Sequence, residues 1–195
     1  MATYINLDRR TDRRDTIEKE LCTLGIQAER FPAIETTPGW VGCAASHLEV
    51  LKKARAHSAP YVMVFEDDFE ATVSPDVFQA TLARFFSDTP DFDVAMLSHN
   101  LKQSKPYNDY MVRVLDAQTM SGYIVHHRFY DRLIDLYEHT NKILEKHPHL
   151  HYTYACDMAW KVYQPHTDWY AFVPRLGKQR ASFSDNTNNY EDYGV

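Results

Sequence analysis

Residues 61–70 read YVMVFEDDFE, and this stretch decides how the rest of the chain is interpreted. It begins with a run of apolar and aromatic residues, which is typical of a strand covered on both faces of a sheet. Three consecutive carboxylates follow directly, Glu66, Asp67 and Asp68. Like charges at contact distance repel one another, and burial makes each charge costlier. The stretch therefore predicts a buried strand that ends at a site for a cationic ligand.

The sequence on both sides of this strand alternates between strand and helix patterns. Further strands are predicted at 3–7, 26–31, 93–99, 111–115, 121–127 and 169–173. Helices are predicted at about 12–24, 44–57, 75–86, 128–146 and 157–163. Alternation of this kind predicts an α/β fold with a central, mostly parallel sheet. A length of 195 residues fits one domain spanning 1–195, with a polar tail at about 180–195.

Composition narrows the class of protein. The chain is 44% hydrophobic and 25% charged, which is typical of a soluble globular protein. Its net charge of −6 argues against nucleic acid as a partner. No apolar run approaches the roughly 20 residues of a membrane span, and no apolar signal segment stands at the start, so a cytoplasmic location is predicted. The oligomeric state is left open.

The cysteines indicate reduced thiols. Cys22, Cys43 and Cys156 lie far apart in the sequence and form no CxxC pair, so neither a disulfide framework nor a zinc site is expected. The histidines at 147, 149 and 151 alternate within a stretch predicted to be irregular. Such spacing is more often incidental than metal-binding.

The carboxylates fit a hard divalent ion. In open α/β sheets, ligands bind beyond the carboxyl ends of the strands, where Glu66, Asp67 and Asp68 are predicted to lie. Carboxylate oxygens suit Mg²⁺ or Mn²⁺. Adjacent residues cannot all face one ion, so one or two would ligate it and the others would act through water or a ligand hydroxyl. The alternative is an acidic turn neutralised by nearby arginine or lysine.

Two kinds of phosphate chemistry are consistent with such a site. A divalent ion commonly neutralises a diphosphate leaving group. The chain has no GxxxxGK[ST] loop, so a nucleotide would be held by the ion and by scattered side chains. The second kind follows from DFEAT at 68–72, which loosely resembles the DxDxT signature of haloacid-dehalogenase-like phosphatases. Glu70 replaces the second aspartate of that signature, and the motif follows the third strand instead of an early one.

Several segments, in order along most of the chain, resemble glycosyltransferase family 25, which includes bacterial lipooligosaccharide galactosyltransferases and collagen galactosyltransferases. The segments are YINLDRRTDRR (4–14), RFPAI (30–34), GCAASHLEVLKKA (42–54), VMVFEDDF (62–69), SGYIVHHRFYDRLI (121–134), CDMAW (156–160) and PRLGKQRASFSD (174–185). Each motif is weak alone, whereas the set at this spacing is fairly specific.

The resemblance implies a GT-A-like, Rossmann-type α/β sandwich. It also implies a metal-dependent inverting transfer of a hexose, with galactose expected, from UDP-galactose or UDP-glucose to a hydroxyl of a glycan or protein. The acidic triplet would be the DxD-type motif. Asp68 would ligate Mn²⁺ or Mg²⁺, Asp67 and Glu66 would lie near the metal, its waters or the ribose, and Asp185 would also reach the metal.

The same resemblance suggests roles for residues away from the triplet. Asn6 would contact the base or ribose, and Gln179 would close over the donor. Arg9 and Arg13 would contact the diphosphate, since guanidinium groups pair well with phosphate oxygens; the alternative is a solvated helix face. Ser46 and His47 stand near a predicted helix start, where donors favour an anion. Their alternative roles are a cap and a structural histidine.

Inverting transfer needs a base for the incoming hydroxyl. The resemblance places Asp157 in that role, with Trp160 stacking on a sugar face. The alternatives are a helix N-cap for Asp157 and a core position for Trp160. A different function is also open, in which the chain is a catalytically degenerate family member that only binds glycans or partners. The intact acidic triplet argues against that function, because a protein without activity has no need for a costly charge cluster.

Overall fold

The structure is a computed structural model that describes residues 1–89, 91–184, 189–192 and 194. The strands of this part of the chain are β1 (Ala2–Asn6), β2 (Glu29–Pro32), β3 (Tyr61–Glu66), β4 (Phe69–Ala71), β5 (Val94–Met96), β6 (Asn100–Pro106), β7 (Met111–Gln118), β8 (Gly122–His126), β9 (Trp169–Phe172), β10 (Gly177–Gln179), β11 (Ser182–Ser184) and β12 (Asn189–Glu191).

The helices are α1 (Thr11–Thr23), α2 (Gly39–Ala56), α3 (Pro75–Asp88), α4 (Tyr130–Lys146), α5 (His151–Tyr154) and α6 (Cys156–Ala159). Short 3₁₀ turns lie at His127–Phe129, Pro148–Leu150, Trp160–Val162 and Gln164–His166. Among the helices that the structure describes, none is long and apolar enough to cross a membrane.

One central sheet has the strand order β2-β1-β3-β8-β5-β9-β7-β6. β1 pairs in parallel with β2 and β3, and β5 pairs in parallel with β9. β8 and β7 run against these strands, and each separates strands that share one direction. Two small antiparallel ladders, β4 with β10 and β11 with β12, complete the pairing in the described residues. The predicted α/β fold with a mostly parallel central sheet is confirmed.

Both faces of the sheet are covered, as the apolar run of β3 predicts. Val62 and Val64 pack into a core shared with α2 and α4. Met63 and Phe65, which point to the other face, pack into a core shared with α1 and α3. Because side chains alternate across a strand, a strand buried on both faces needs apolar residues at consecutive positions. The carboxylates begin where this double cover ends.

The start of α2 differs from its sequence prediction. The helix begins at Gly39, with Pro38 at the N-cap, whereas the sequence pattern favoured a start at Ala44. Proline and glycine at 38–42 were interpreted as a loop. Gly42 is instead helical, and a Cβ there would lie 2.0 Å from the carbonyl oxygen of Ile34. Glycine at this position therefore lets the preceding loop lie against the first turn of the helix.

Other differences concern short or polar elements. β6, with the sequence NLKQSKP, is largely exposed and carries no apolar alternation, so its pattern does not predict a strand. β4 and β10 have three residues each, which is too short for a periodic pattern. The stretch at 147–155, predicted to be irregular, contains a 3₁₀ turn and α5.

Candidate active site

The acidic turn, which consists of Asp67 and Asp68 between β3 and β4, is fixed to the body of the protein by its neighbours. β3 ends at Glu66, and β4 begins at Phe69 and pairs with β10. The backbone N–H of Arg180 donates to the carbonyl oxygen of Asp68 at 2.6 Å. The Phe69 ring is fully buried and lies where side chains of Gly122 and Gly177 would be, since a Cβ at these positions would come within 2.6 and 2.1 Å of it. The two glycines thus create the space that anchors the turn.

Asp67 and Asp68 lie side by side and share one arginine. Nη1 of Arg13 donates to Oδ1 of Asp67 at 2.8 Å and to Oδ2 of Asp68 at 3.4 Å. Nδ2 of Asn6 donates to Oδ2 of Asp67 at 2.7 Å. Nε2 of Gln179 donates to Oδ2 of Asp68 at 3.0 Å. Oδ1 of Asp68 is buried and has no hydrogen-bond partner among the described residues.

The electrostatics of this pair favour a bound cation. Burial, together with the charges of Glu66 and Asp67, raises the pKa of Asp68 to about 7 against the opposing influence of Arg13 and Gln179. Burial also raises the pKa of Asp67, against the influence of Arg13 and Asn6. One arginine therefore does not compensate these carboxylates. The unpartnered oxygen of Asp68 and the hard character of the oxygen donors fit Mn²⁺ or Mg²⁺.

Glu66 faces a different set of partners. Its Oε1 lies 3.2 Å from Nε2 of His47 and accepts from Sγ of Cys43 at 3.6 Å. His47 is fully buried, and its Nδ1 lies 2.8 Å from the hydroxyl of Tyr123. Burial opposes charge on His47 and Glu66, yet Cys43 and Glu66 hold the pKa of His47 above its usual value, and His47 and Cys43 hold the pKa of Glu66 below its usual value. The three carboxylates are therefore not equivalent.

Asp157 lies near enough to Glu66 and His47 for its charge to interact with theirs. It lies in the first turn of α6 and is not its N-cap, which is Ala155. Thr119, whose φ of 87° is in the left-handed region, donates its backbone N–H to Oδ2 of Asp157 at 3.4 Å. Burial raises the pKa of Asp157, and the nearby charge of Glu66 raises it further. A carboxylate with a raised pKa and a strained backbone neighbour is typical of a proton acceptor in an active site.

Three predicted residues have their polar groups engaged within the protein. Asn6 supports Asp67, as described above, and its Oδ1 accepts from Nε of Arg30 at 3.1 Å. The fully buried hydroxyl of Ser46 donates to the carbonyl oxygen of Gly42 and accepts from the backbone N–H of Ile34. These contacts hold a strand end and a loop in place. Ligand contacts by Asn6, Ser46 and His47 stay predictions.

The remaining predicted positions are spread more widely. Nε of Arg9 pairs with Oε1 of Glu35 at 2.7 Å, and about half of the Arg9 side chain is exposed. Asp185 lies outside the described residues. Trp160 is fully buried, and its ring meets those of Tyr123 and Trp169 edge-on. The expectation that Trp160 stacks on a sugar is therefore wrong, because its ring is part of the core.

Sequence reasoning missed Cys43, Tyr123 and Ser182 as site residues. Cys43 and His47 stand four positions apart, which places them on one face of a helix. That signal was lost because the predicted helix began after Cys43. The hydroxyl of Ser182 accepts from Nη2 of Arg13, which also donates to the carbonyl oxygen of Phe183 at 3.0 Å. No local pattern could have indicated this contact between distant segments.

Comparisons with known proteins give the following findings. The family model of glycosyltransferase family 25 (LPS biosynthesis protein) matches residues 35–151, more than half of the chain. A glycosyltransferase involved in the glycosylation of the major capsid of PBCV-1 is similar in structure, with a TM-score of 0.56 and 9% identity over 96% of this chain and 95% of that one. A197 from STIV has a TM-score of 0.50 and 11% identity over 92% and 93%. A search of the curated proteins finds no match.

Proposed function

This chain belongs to glycosyltransferase family 25 and is a glycosyltransferase, and from that premise we propose that it transfers a hexose from a UDP-sugar to a hydroxyl of a glycan or protein. The proposed sugar is galactose, from UDP-galactose, with UDP-glucose as the alternative donor. The proposed reaction depends on Mn²⁺ or Mg²⁺ and inverts the anomeric carbon. The proposed site spans the acidic turn and Asp157.

One observation supports the metal dependence most directly. Asp68 is a buried carboxylate with a raised pKa and one oxygen without a partner among the described residues. Burial without compensation costs free energy, and a divalent cation would remove that cost. We assign Asp68 and Asp67 as the ligands, and the ion would neutralise the diphosphate as it leaves. Asp185 is a further proposed ligand.

The chain's own residues would carry out the other steps. Gln179 and Asn6 orient Asp68 and Asp67 through the hydrogen bonds described above. With a cation held by the two aspartates, the guanidinium of Arg13 would be available to pair with phosphate oxygens. Asp157 would accept the proton of the acceptor hydroxyl, and its raised pKa brings it closer to the working pH of a general base.

Calorimetric titration of UDP, with and without Mn²⁺, tests this proposal. The wild type is expected to bind UDP only with the metal. Asp68→Ala is expected to lower the affinity at least about 100-fold, since the ion's bridge to the diphosphate contributes several kcal/mol. Glu70→Gln is a matched control, because Glu70 follows the same turn but pairs with Lys178 on β10.

Two outcomes would count against the proposal. UDP binding that is equal in the wild type and Asp68→Ala would remove the aspartate from the donor site. Absence of UDP binding under all conditions, together with binding of a glycan, would indicate the degenerate binding module instead.

A further inference from the structure

A second group of metal-ligating side chains includes Glu66, which directly precedes Asp67 and Asp68 in the chain. Cys43 and His47, one turn apart on α2, face Glu66 at the end of β3. One ligand atom from each residue lies within 4.8 Å of the others. The function proposed above uses Asp67, Asp68 and Asp157, and it leaves the thiol and the imidazole unexplained.

The geometry of this cluster matches a tetrahedral zinc site. Zinc binds nitrogen and oxygen at about 2.0–2.1 Å and sulfur at about 2.3 Å, so the edges of its tetrahedron are about 3.3 Å between N and O and about 3.5 Å between S and O. The observed distances from Oε1 of Glu66 are 3.2 Å to Nε2 of His47 and 3.6 Å to Sγ of Cys43. Two edges of the cluster therefore match a tetrahedral zinc site, and the third, from Nε2 of His47 to Sγ of Cys43, is at most 4.8 Å long.

The surroundings of the cluster are also those of a metal centre. Nδ1 of His47 lies 2.8 Å from the Tyr123 hydroxyl. A bond of this kind to the second ring nitrogen fixes the tautomer and the ring orientation of a ligating histidine. The thiol of Cys156 lies near enough to raise the pKa of Cys43, although Cys156 is not among the three residues whose ligand atoms approach one another. His47 itself is fully buried, so the imidazole is not a surface histidine that meets metals by chance.

We propose that Cys43, His47 and Glu66 bind a Zn²⁺ ion at a site separate from the Mn²⁺ or Mg²⁺ site of Asp67 and Asp68. Sulfur and imidazole donors favour zinc, whereas the oxygen-only donors of the aspartates favour the harder ions. On binding, the Cys43 thiol and the imidazolium of His47 each release one proton to solvent. The fourth position is open to Cys156 or to water.

This ion would tie together the elements that build the active site. It would join α2 to the end of β3, directly before the acidic turn. With Cys156 as the fourth ligand, it would also fix α6, in which Asp157 follows that cysteine. The inference does not depend on the donor or the acceptor, and it concerns the positioning of Asp157 relative to Asp67 and Asp68.

Cobalt is the probe that tests the site, because Co²⁺ occupies zinc sites and absorbs strongly when a thiolate is bound. The full chain, stripped of metal with a chelator, is titrated with Co²⁺ and then with Zn²⁺. A thiolate-to-cobalt band that saturates at about one equivalent and disappears on adding Zn²⁺ is expected. Tyr123→Phe is expected to weaken binding about 10–100-fold, since it removes the partner of His47.

Three variants locate the ion. Cys43→Ser is expected to lose at least half of the band, with any remainder coming from Cys156 as the fourth ligand. Cys22→Ser is the matched control, because Cys22 is exposed on α1, and it is expected to retain the band. Asp68→Asn is also expected to retain it, even though UDP binding with Mn²⁺ is lost, so that failure of this inference and failure of the proposed function are distinguishable.

Absence of the band in the wild type, or a band of undiminished intensity in Cys43→Ser, would overturn the inference. X-ray absorption of the zinc-loaded wild type identifies the ligand atoms of the ion without any variant. It therefore tests the site even if Cys43→Ser does not fold. A sulfur atom in the ion's coordination sphere supports the site. A sphere of oxygen and nitrogen alone refutes it.

Discussion

Aspartates at the two ends of the strands of the central sheet have opposite surroundings. The amino edge is the side of the sheet at which β5 and β9 begin, and the carboxyl edge is the side at which they end. At the amino edge, Asp93 precedes β5 and Asp168 precedes β9. Nε of Arg128 pairs with Oδ1 of Asp93 at 2.7 Å, and its Nη2 pairs with Asp168 at 2.9 Å. The other oxygen of Asp93 accepts the backbone N–H of Asp168 at 2.9 Å, and Arg113 lies 3.5 Å from Asp168.

At the carboxyl edge, the aspartates have fewer cationic partners than at the amino edge. Asp67 and Asp68 share Arg13, and one oxygen of Asp68 has no partner in the described part of the chain. Aspartate therefore stabilises the amino edge, where its pairing is complete, and destabilises the carboxyl edge, where its pairing is incomplete. A buried carboxylate that lacks partners is therefore the better candidate for a ligand site than one whose oxygens are all engaged.

The largest effect is expected from removing the incompletely paired charge. Asp68→Asn should lower the rate of UDP release from a UDP-sugar at least about 1,000-fold with Mn²⁺ present, since the metal's stabilisation of the leaving group is worth several kcal/mol. A coupled assay for UDP measures this rate. Glu70→Gln serves as the control. A rate within tenfold of the wild type would show that the reaction does not need Asp68.

A second carboxylate at this edge is expected to act on the chemical step alone. Asp157→Asn should lower kcat about 100- to 10,000-fold, since it removes the general base, while the affinity for UDP with Mn²⁺ stays the same. In the wild type the rate should rise with pH as Asp157, whose pKa is raised by burial, loses its proton. Steady-state kinetics and calorimetry on the same preparations separate the two effects. Loss of UDP affinity in this variant would indicate a donor-binding role.

At the amino edge, where the aspartates are fully paired, a substitution should lower the stability of the protein instead of its reaction rate. Arg128→Ala is expected to lower the free energy of unfolding by about 1–3 kcal/mol, because it leaves the buried carboxylate of Asp93 without its guanidinium partner. Arg128 is about one-third exposed, so the effect is smaller than for a deeply buried pair. Urea unfolding measures it. Arg55→Ala, which breaks an exposed pair with Asp131, is the control and should change little.

The smallest expected effect is a gain in stability when a charge is removed at the carboxyl edge. The folded-state pKa of Asp68, about 7, lies above the ordinary value of 3.8, so the folded state binds more protons between these values. The stability that this group contributes is therefore present below pH 3.8 and is lost as pH rises through 7. In the metal-free protein, Asp68→Asn should be more stable than the wild type at pH 8, by about 1–2 kcal/mol, and should show no such gain at pH 4.

Urea unfolding in the presence of a chelator, at both pH values, checks this sign. A variant that is less stable than the wild type at pH 8 would mean that Arg13 compensates Asp68 fully, and the contrast between the two edges would disappear. Addition of Mn²⁺ should stabilise the wild type and leave the variant unchanged.

The sequence was sufficient for the features that repeat a local pattern. The double cover of β3 follows from its run of apolar residues, and the position of Asp67 and Asp68 follows from the rule that ligands bind beyond strand ends. The partners of these residues were beyond such reasoning. Gln179 reaches Asp68 through the pairing of β4 with β10, two strands too short to show a period. Its place in the site was expected from the family resemblance alone.

The cluster around Glu66 shows why local reasoning has this limit. Pro38 and Gly39 favoured a loop, so Cys43 was left outside the predicted helix and its alignment with His47 was lost. The contact of both residues with Glu66 depends on how α2 packs on β3, which no spacing along the chain encodes. Counting charges along the sequence identifies the acidic residues of a site, whereas identifying their partners requires the packed structure.

Phe69 also restricts how this sequence can change over time. Its ring fills the volume in which a Cβ of Gly122 or Gly177 would lie. A lineage can gain a side chain at either glycine only if the residue at position 69 becomes smaller in compensation. The three positions, distant in the chain, are therefore expected to covary, and each glycine exchange made alone should displace the acidic turn without touching any of its charges.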